Sequence, residues 1–239
     1  MEVMNDVLGY QNLKIYQNTD MFQFSLDSVL LANFVTINQK INTILDIGTG
    51  NAIIPILLSK RTKAEITGVE IQTESFELAL KSVKINQLEN QIHLVNQDIK
   101  EYSQKLSTEI FDVITCNPPF FKTNENSNVN ESIYKRIARH EIYLNLEDII
   151  TISKKLLKNN GRLAIVHRPE RLIEIILLMK KHHIEPKKIC FIYPKKGKEA
   201  NILLIEGVKN GKPGLKMLSP IYTYDINGNY TKEIKNFFS

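Results

Sequence analysis

An open α/β fold on a mostly parallel, seven-stranded sheet is predicted by three features of the 239-residue sequence. Short apolar runs alternate with helix-periodic segments along most of the chain, which reads as repeated βα units. The first five runs are nearly continuous in apolar residues, as parallel strands covered by helices on both faces require. Only six residues separate the last two runs, "KKICFIY" and "ANILLIEGV", whereas a parallel crossover needs a dozen or more. Those two runs therefore form an antiparallel hairpin.

In chain order the strands are "NTILDIG", "AEITGVEI", "IHLVNQDI", "FDVITCN", "GRLAIVH" and the two hairpin runs. Helices are predicted over 25–37, 52–60, 73–86, 146–158 and 169–182. The last, "PERLIEIILLMKKHH", opens with Pro and an acid and closes with Lys and His, which complements the helix dipole at both ends. The polar, Asn-rich stretch 122–141, "KTNENSNVNESIYKRIARHE", reads as a loop that serves the substrate. One domain is expected, with residues 1–40 as an N-terminal extension, 41–208 as the core and 209–239 as a C-terminal extension.

A hydrophobic content of 43% supports a full core, yet no run approaches the roughly 18–20 apolar residues of a membrane span. The start, "MEVMNDVLGYQ", has no export signature, so a cytoplasmic protein is expected. Cys116 and Cys190 have neither metal-type nor redox spacing, in keeping with a reducing compartment. The net charge of +5 is uneven: Lys plus Arg against Asp plus Glu is 13 to 19 over residues 1–153, 13 to 4 over 154–200, and 5 to 3 thereafter. A basic later part suggests a face for a polyanion, although lysines on ordinary helix surfaces give the same count.

"LDIGTGNAIIPILL" sets Gly48 and Gly50 between a strand and a helix, where backbone amides are open to a ligand. Asp46 stands just before the first glycine, and Glu70 ends the next strand 22 residues after Gly48, where a ribose diol is hydrogen-bonded in nucleotide-type crevices. Ile53 occupies the place of the third glycine of G-x-G-x-x-G, which weakens a pyrophosphate reading. A carboxylate beside the turn also repels anions and favours an amino-bearing, cationic ligand such as S-adenosylmethionine. Asp98, in "NQDI", can accept from an adenine amine. Each acid alone has a plain reading as a turn former; their joint placement at successive strand ends marks the ligand edge of an open sheet.

"DVITCNPPFF" ends a strand in an amide, two prolines and two aromatics. Pro118 and Pro119 cannot extend a central strand, so Asn117 is held stiffly at the strand end. Asn-Pro also commonly starts a turn, and the tetrapeptide alone decides nothing.

"DIGTGNAIIP", "GVEI", "NQDI" and "CNPPFF", in that order, resemble the motifs of class I S-adenosylmethionine-dependent methyltransferases that modify exocyclic amino groups. The flanking stretches "LGYQNLKIYQNTDMFQFSLDSVLLANFV", "RIARHE", "VHRPERL" and "NILLIEGVKNGKPGLKMLSP" resemble the bacterial valine-tRNA adenine-N6 methyltransferase group. That resemblance implies a Rossmann-like fold and N6 methylation of adenine 37, next to the anticodon of a valine tRNA. It implies a catalytic set of Asn117, Pro118 and Phe120. The implied cofactor set is Phe24, Ser25, Asp27, Asp46, Gly48, Thr49, Gly50, Glu70, Ile71, Asp98, Ile99 and Asn117, with Ser25 equally readable as a helix cap. Arg139, His140 and Arg168 are candidates for RNA contact, and neither a metal nor an obligate protein partner is implied. His182 and His183 read as solvated, Phe121 as core or pocket wall, and Cys116 as a small buried residue rather than a nucleophile.

The Asn-Pro-Pro corner also suits guanine-N2 methylation of RNA and glutamine-N5 methylation of protein, since each offers an N–H pair. Phe120 and the basic 154–200 segment favour a nucleic-acid base. A non-catalytic RNA-binding module is opposed by the complete set of Asp46, Glu70, Asp98 and Asn117, and a nicotinamide dehydrogenase by the missing glycine and the closing hairpin.

Overall fold

The structure, a computed structural model, describes residues 2–6, 13–18, 26–118 and 144–237. The positions Phe24, Ser25, Phe120, Phe121, Arg139 and His140, and the 122–141 stretch, lie outside the described residues.

Two short strands, β1 (Glu2–Asp6) and β2 (Lys14–Asn18), pair antiparallel in a sheet of their own. The main sheet is built from β3 (Thr43–Ile47), β4 (Glu65–Glu70), β5 (Ile92–Asn96), β6 (Phe111–Cys116), β7 (Leu157–His167), β8 (Ile184–Tyr193) and β9 (Ile202–Lys209). Two-residue strands β10 (Lys216–Met217) and β11 (Ile221–Tyr222) extend its β8 edge, giving the order β10-β8-β9-β7-β6-β3-β4-β5 with β11 also on β8. All seven expected strands form. β9 runs antiparallel to both neighbours, β7 and β8, so the predicted hairpin is present and its second strand lies inside the sheet.

The helices are α1 (Leu26–Phe34), α2 (Ile53–Ser59), α3 (Thr73–Ile85), α4 (Ile99–Lys105), α5 (Leu146–Leu156), α6 (Leu172–Lys181) and α7 (Lys232–Asn236). Sequence periodicity missed α4 and α7, which span two turns or fewer, and the strands β1, β2, β10 and β11. Asp98 does not continue β5: it caps α4, its Oδ1 accepting from Lys100 N at 2.8 Å. α5 ends two residues before the expected 158, because the chain turns directly into β7 at Leu157. A capping box between Asn145 and Asp148 fixes its start.

Alternation along the strands divides the core between the two faces. Ile44, Ile66 and Val113 pack with Leu30, Leu31, Ile56 and Leu57 of α1 and α2, whereas Leu45, Ile47, Ile114 and Ile165 pack with Ile149, Ile150 and Ile175 of α5 and α6. A buried charged group of β9 interrupts this pattern. Glu206, in the middle of β9, is 1% exposed and accepts from Thr36 N at 2.7 Å, Thr36 Oγ1 at 2.8 Å and Arg162 Nη1 at 2.9 Å, with Lys188 Nζ 3.6 Å away. It ties the end of α1 to β7, β8 and β9.

Removing one partner of a buried charge cluster leaves the rest uncompensated, typically at a cost of 3–5 kcal/mol. Glu206→Ala is therefore expected to lower unfolding free energy by about 3 kcal/mol or more, read as a reduced midpoint in urea with m unchanged.

Candidate functional site

The parallel strands β3, β4, β5, β6 and β7 all point their C-terminal ends to one edge, and the site residues gather there. After β3 the chain makes a tight turn with Gly48 at φ +67° and Gly50 at φ +58°, in the left-handed region that glycine enters without strain. Ala52 follows at φ +68° and precedes α2. The turn is pinned from β4: Gly48 N and Thr49 N both donate to Val69 O, at 2.9 and 3.0 Å, and Gly50 N donates to Glu70 Oε2 at 2.9 Å. A Cβ at Gly68 would lie 2.9 Å from Thr49 Oγ1, so the absence of a side chain there is what lets the turn settle onto β4.

Two buried carboxylates flank this turn. Asp46 is fully buried; its Oδ1 accepts from Thr115 Oγ1 at 2.6 Å. Its Oδ2 and the neighbouring Thr49 Oγ1 are buried, and neither meets hydrogen-bond geometry with any described group, although the hydroxyl still eases the carboxylate charge. Burial pushes the Asp46 carboxyl up to about 7. Glu70 is 5% exposed and burial raises it too, opposed by amide hydrogen bonds from Gln72 and Gly50. Beyond Glu70, Ile71 is exposed at the same edge, while Ile99 is a core residue.

Asn117 follows β6, with Pro118 buried behind it. Its Nδ2 donates to Ser28 Oγ of α1 at 2.9 Å, which orients the amide and leaves Oδ1 as an acceptor that no described donor reaches. Asp27, one residue earlier, lies in the first turn of α1, where an acid complements the dipole. Cys116 is buried and its thiol is held well above the ordinary range by burial, then by Asp46, so it is no thiolate nucleophile.

At the end of β7, His167 is buried; desolvation, then the Arg171 charge, lowers it to about 4 and keeps the ring neutral. Its Nδ1 accepts from Arg168 N at 2.8 Å, and Arg168 Nη1 donates to Asn201 O at 2.8 Å, which ties this RNA-contact candidate to the start of β9. His182 faces Glu147 and Thr151 at the end of α6. The described residues contain no group of three or more His, Cys, Asp or Glu placed to hold a metal ion, and no helix among them is long and apolar enough to cross a membrane.

Of the residues around the site, Ser28, Thr115 and Gly68 were not singled out from the sequence. Ser28 and Thr115 act across the fold, 89 and 69 residues from their partners, and no local motif records that. Gly68 lies inside "ITGVE", where a lone strand glycine is itself a signal of close backbone approach.

The raised Asp46 carboxyl makes ligand-free stability depend on pH. Between the unfolded value of 3.8 and about 7, the folded protein holds a proton that the unfolded chain has released, so this contribution is full below 3.8 and lost as pH rises through 7. Melting curves from pH 5 to 8 are expected to show wild-type Tm falling relative to Asp46→Asn. Parallel curves would remove the shift.

The family model described as "Methyltransferase small domain" matches residues 23–185. The tRNA1(Val) (adenine(37)-N6)-methyltransferase of Aliivibrio salmonicida is 31% identical over 183 residues, covering 76% of this chain and 75% of the relative. Among solved structures, a predicted O-methyltransferase from Agrobacterium tumefaciens superposes with TM-score 0.70 at 22% identity, over 89% of this chain and 97% of that one. Geranyl diphosphate C-methyltransferase from Streptomyces coelicolor, in complex with S-adenosyl-L-homocysteine, gives TM-score 0.57 at 10% identity over 76% of each chain. At these identities the solved structures speak to the fold alone. The glycine turn, the buried acids and the Asn-Pro corner all lie on one sheet edge within the matched residues: the chain belongs to the methyltransferase small-domain family, and within it to the tRNA1(Val) (adenine(37)-N6)-methyltransferases.

Proposed function

We propose that this chain transfers a methyl group from S-adenosylmethionine to N6 of adenine 37 in a valine tRNA. The observation that carries the reading is the Asn117 amide at the ligand edge, which donates from Nδ2 to Ser28 Oγ and leaves Oδ1 as an acceptor.

The residues present suit the cofactor. A buried Asp46 with an unpartnered oxygen favours a cationic, amino-bearing group over a phosphate, and Glu70 and Asp98 keep acceptor lone pairs for a ribose diol and an adenine amine. Exposed Ile71 offers an apolar contact for the adenine ring, and the Gly48–Gly50 turn lets a ligand approach the backbone. When bound, the cofactor supplies a methyl group on a positively charged sulfur.

The protein's task is to make an aromatic amine nucleophilic. Its lone pair is delocalised into the ring, and two acceptors, Asn117 Oδ1 and the Pro118 carbonyl, can hold its two N–H groups and direct the lone pair out of the ring plane. Orientation of this kind lowers the barrier without a strong general base. The amine proton becomes acidic once the nitrogen has been methylated and passes to solvent water, so no strong protein base is required. Stacking on Phe120 contributes roughly 1–3 kcal/mol to holding a base splayed out of the RNA.

Incubation with radiolabelled S-adenosylmethionine and tRNA from a strain lacking the modification is expected to place label in N6-methyladenosine of the valine tRNA anticodon loop. Label in guanosine, or in a protein glutamine, would replace the substrate assignment. Asn117→Ala is expected to abolish turnover with cofactor affinity nearly intact, as calorimetry would record. In Ser28→Ala the amide loses its anchor, and one lost hydrogen bond of about 1–1.5 kcal/mol predicts about a tenfold lower kcat, with Ser28→Thr restoring most of it. Wild-type kcat in Ser28→Ala would show that Asn117 needs no such support.

A further inference from the structure

The 13 Lys and Arg residues of the basic 154–200 segment are distributed in a way that the sequence count does not reveal. Ten of them have a hydrogen-bond or ion-pair partner within the fold, Arg162 and Lys188 on Glu206 among them. Among the described residues, the three without one are Lys195, Lys196 and Lys198, all exposed in the loop from Pro194 to Ala200 between β8 and β9, with Glu199 as the loop's single acid. Because β8 runs parallel to β7 and β6, this loop emerges at the edge that carries Asn117. Three inter-strand spacings separate the two, about 15 Å.

A second element meets the loop there. Tyr224 N donates to Pro194 O at 2.9 Å, and the turn after Tyr224 is closed by Asp225 Oδ1, which accepts from Asn227 N and Asn229 N at 2.9 Å each. One face of the Tyr224 ring stacks on Tyr230, with centroids 5.3 Å apart and planes at 11°, and the side chain remains 40% exposed. Between loop and turn lies an open cleft of about 820 Å³ lined by Lys195, Lys198, Glu199 and Tyr224, two cations against one acid.

Resting on the methyltransferase reading above, we propose that this cleft is a docking surface for the phosphate backbone of the RNA strand that flanks the target base. Lys195, Lys196 and Lys198 pair with phosphates, and Tyr224, held rigid by its stack on Tyr230, packs its free edge on a ribose or base. At 3.4 Å of rise per nucleotide, about 15 Å is four to five nucleotides, so a base delivered to Asn117 leaves its flanking strand over the cleft. Phosphate contacts fix register while carrying no sequence information, which suits a site this far from the chemistry.

The test is titration of unmodified tRNA against the full chain and its Lys195→Ala/Lys196→Ala/Lys198→Ala variant, between about 50 and 200 mM salt. The variant is expected to raise Kd tenfold or more at low salt and to flatten the slope of log K against log salt by about 2, with kcat at saturating tRNA and cofactor affinity unchanged. Tyr224→Ala is expected to weaken binding severalfold without altering that slope. Unchanged Kd and slope in the triple variant, beside a wild type that methylates tRNA, would overturn this docking surface and leave the function standing. A wild type that neither binds nor methylates tRNA would remove both. Polyglutamate bound as tightly as tRNA, and lost in the same variant, would assign the surface to an acidic protein instead.

Discussion

Everything at the ligand edge is arranged around two carboxylates that have been taken out of water. Asp46 is fully buried and Glu70 nearly so, and a buried, incompletely satisfied acid is among the more costly things a fold can hold. The surrounding geometry compensates in part. Thr115 donates to one oxygen of Asp46, while the amides of Gly50 and Gln72 hold Glu70. What stays uncompensated is Asp46 Oδ2, and that remainder is directional. Burial raises the Asp46 carboxyl to about 7 without a ligand.

That arrangement depends on the glycine turn lying flat against β4. Val69 O accepts from two successive turn amides, a geometry that requires positive φ at Gly48 and no side chain at Gly68. A parallel sheet supplies the rest: β3 is central, and its neighbours β4 and β6 deliver Glu70 and Asn117 to either side of Asp46. β9 then inserts antiparallel beside β7, and the Glu206 cluster locks this half of the sheet to the end of α1. The C-terminal hairpin thereby supports the helix that carries Ser28.

Much of this was readable from residues alone because it is local. Strand periodicity, the glycine turn, acids at strand ends and the Asn-Pro-Pro corner are each set by short-range chemistry, and all seven long strands appeared where the apolar runs put them. The parts that were not readable are those decided across the fold. Asp98 read as a free strand-end acceptor, yet it caps α4, a helix too short to show a period. Ser28 and Thr115 look like ordinary helix and strand residues until their partners are brought to them. Residues 216–217 and 221–222 pair only because β8 leaves an edge open. Charge was legible as a total but not as a map, since most cations of the basic segment are matched internally.

The Ser28 contact also joins two parts of the chain that sequence order keeps apart. A side-chain amide at a strand end can rotate by half a turn and exchange its acceptor for its donor with little change in shape. In the role proposed for Asn117, an inverted amide would offer N–H groups to an amine that is itself a donor. Ser28 Oγ accepts from Nδ2, so α1 supplies a contact that positions the amide while it is packed against the sheet. α1 is held by a buried core, by Thr36 on Glu206 and by the guanidinium of Arg61, which donates to the carbonyls of Ala32 and Val35. The Asn117 amide is thus coupled to the docking of an N-terminal helix that contributes no part of the sheet, and the segment preceding that helix is where the family resemblance puts cofactor contacts. Loss of α1 packing would remove the Ser28 contact from the Asn117 amide, whereas Gly48, Thr49 and Gly50 are held from β4 and Asn51 from Tyr16 of β2.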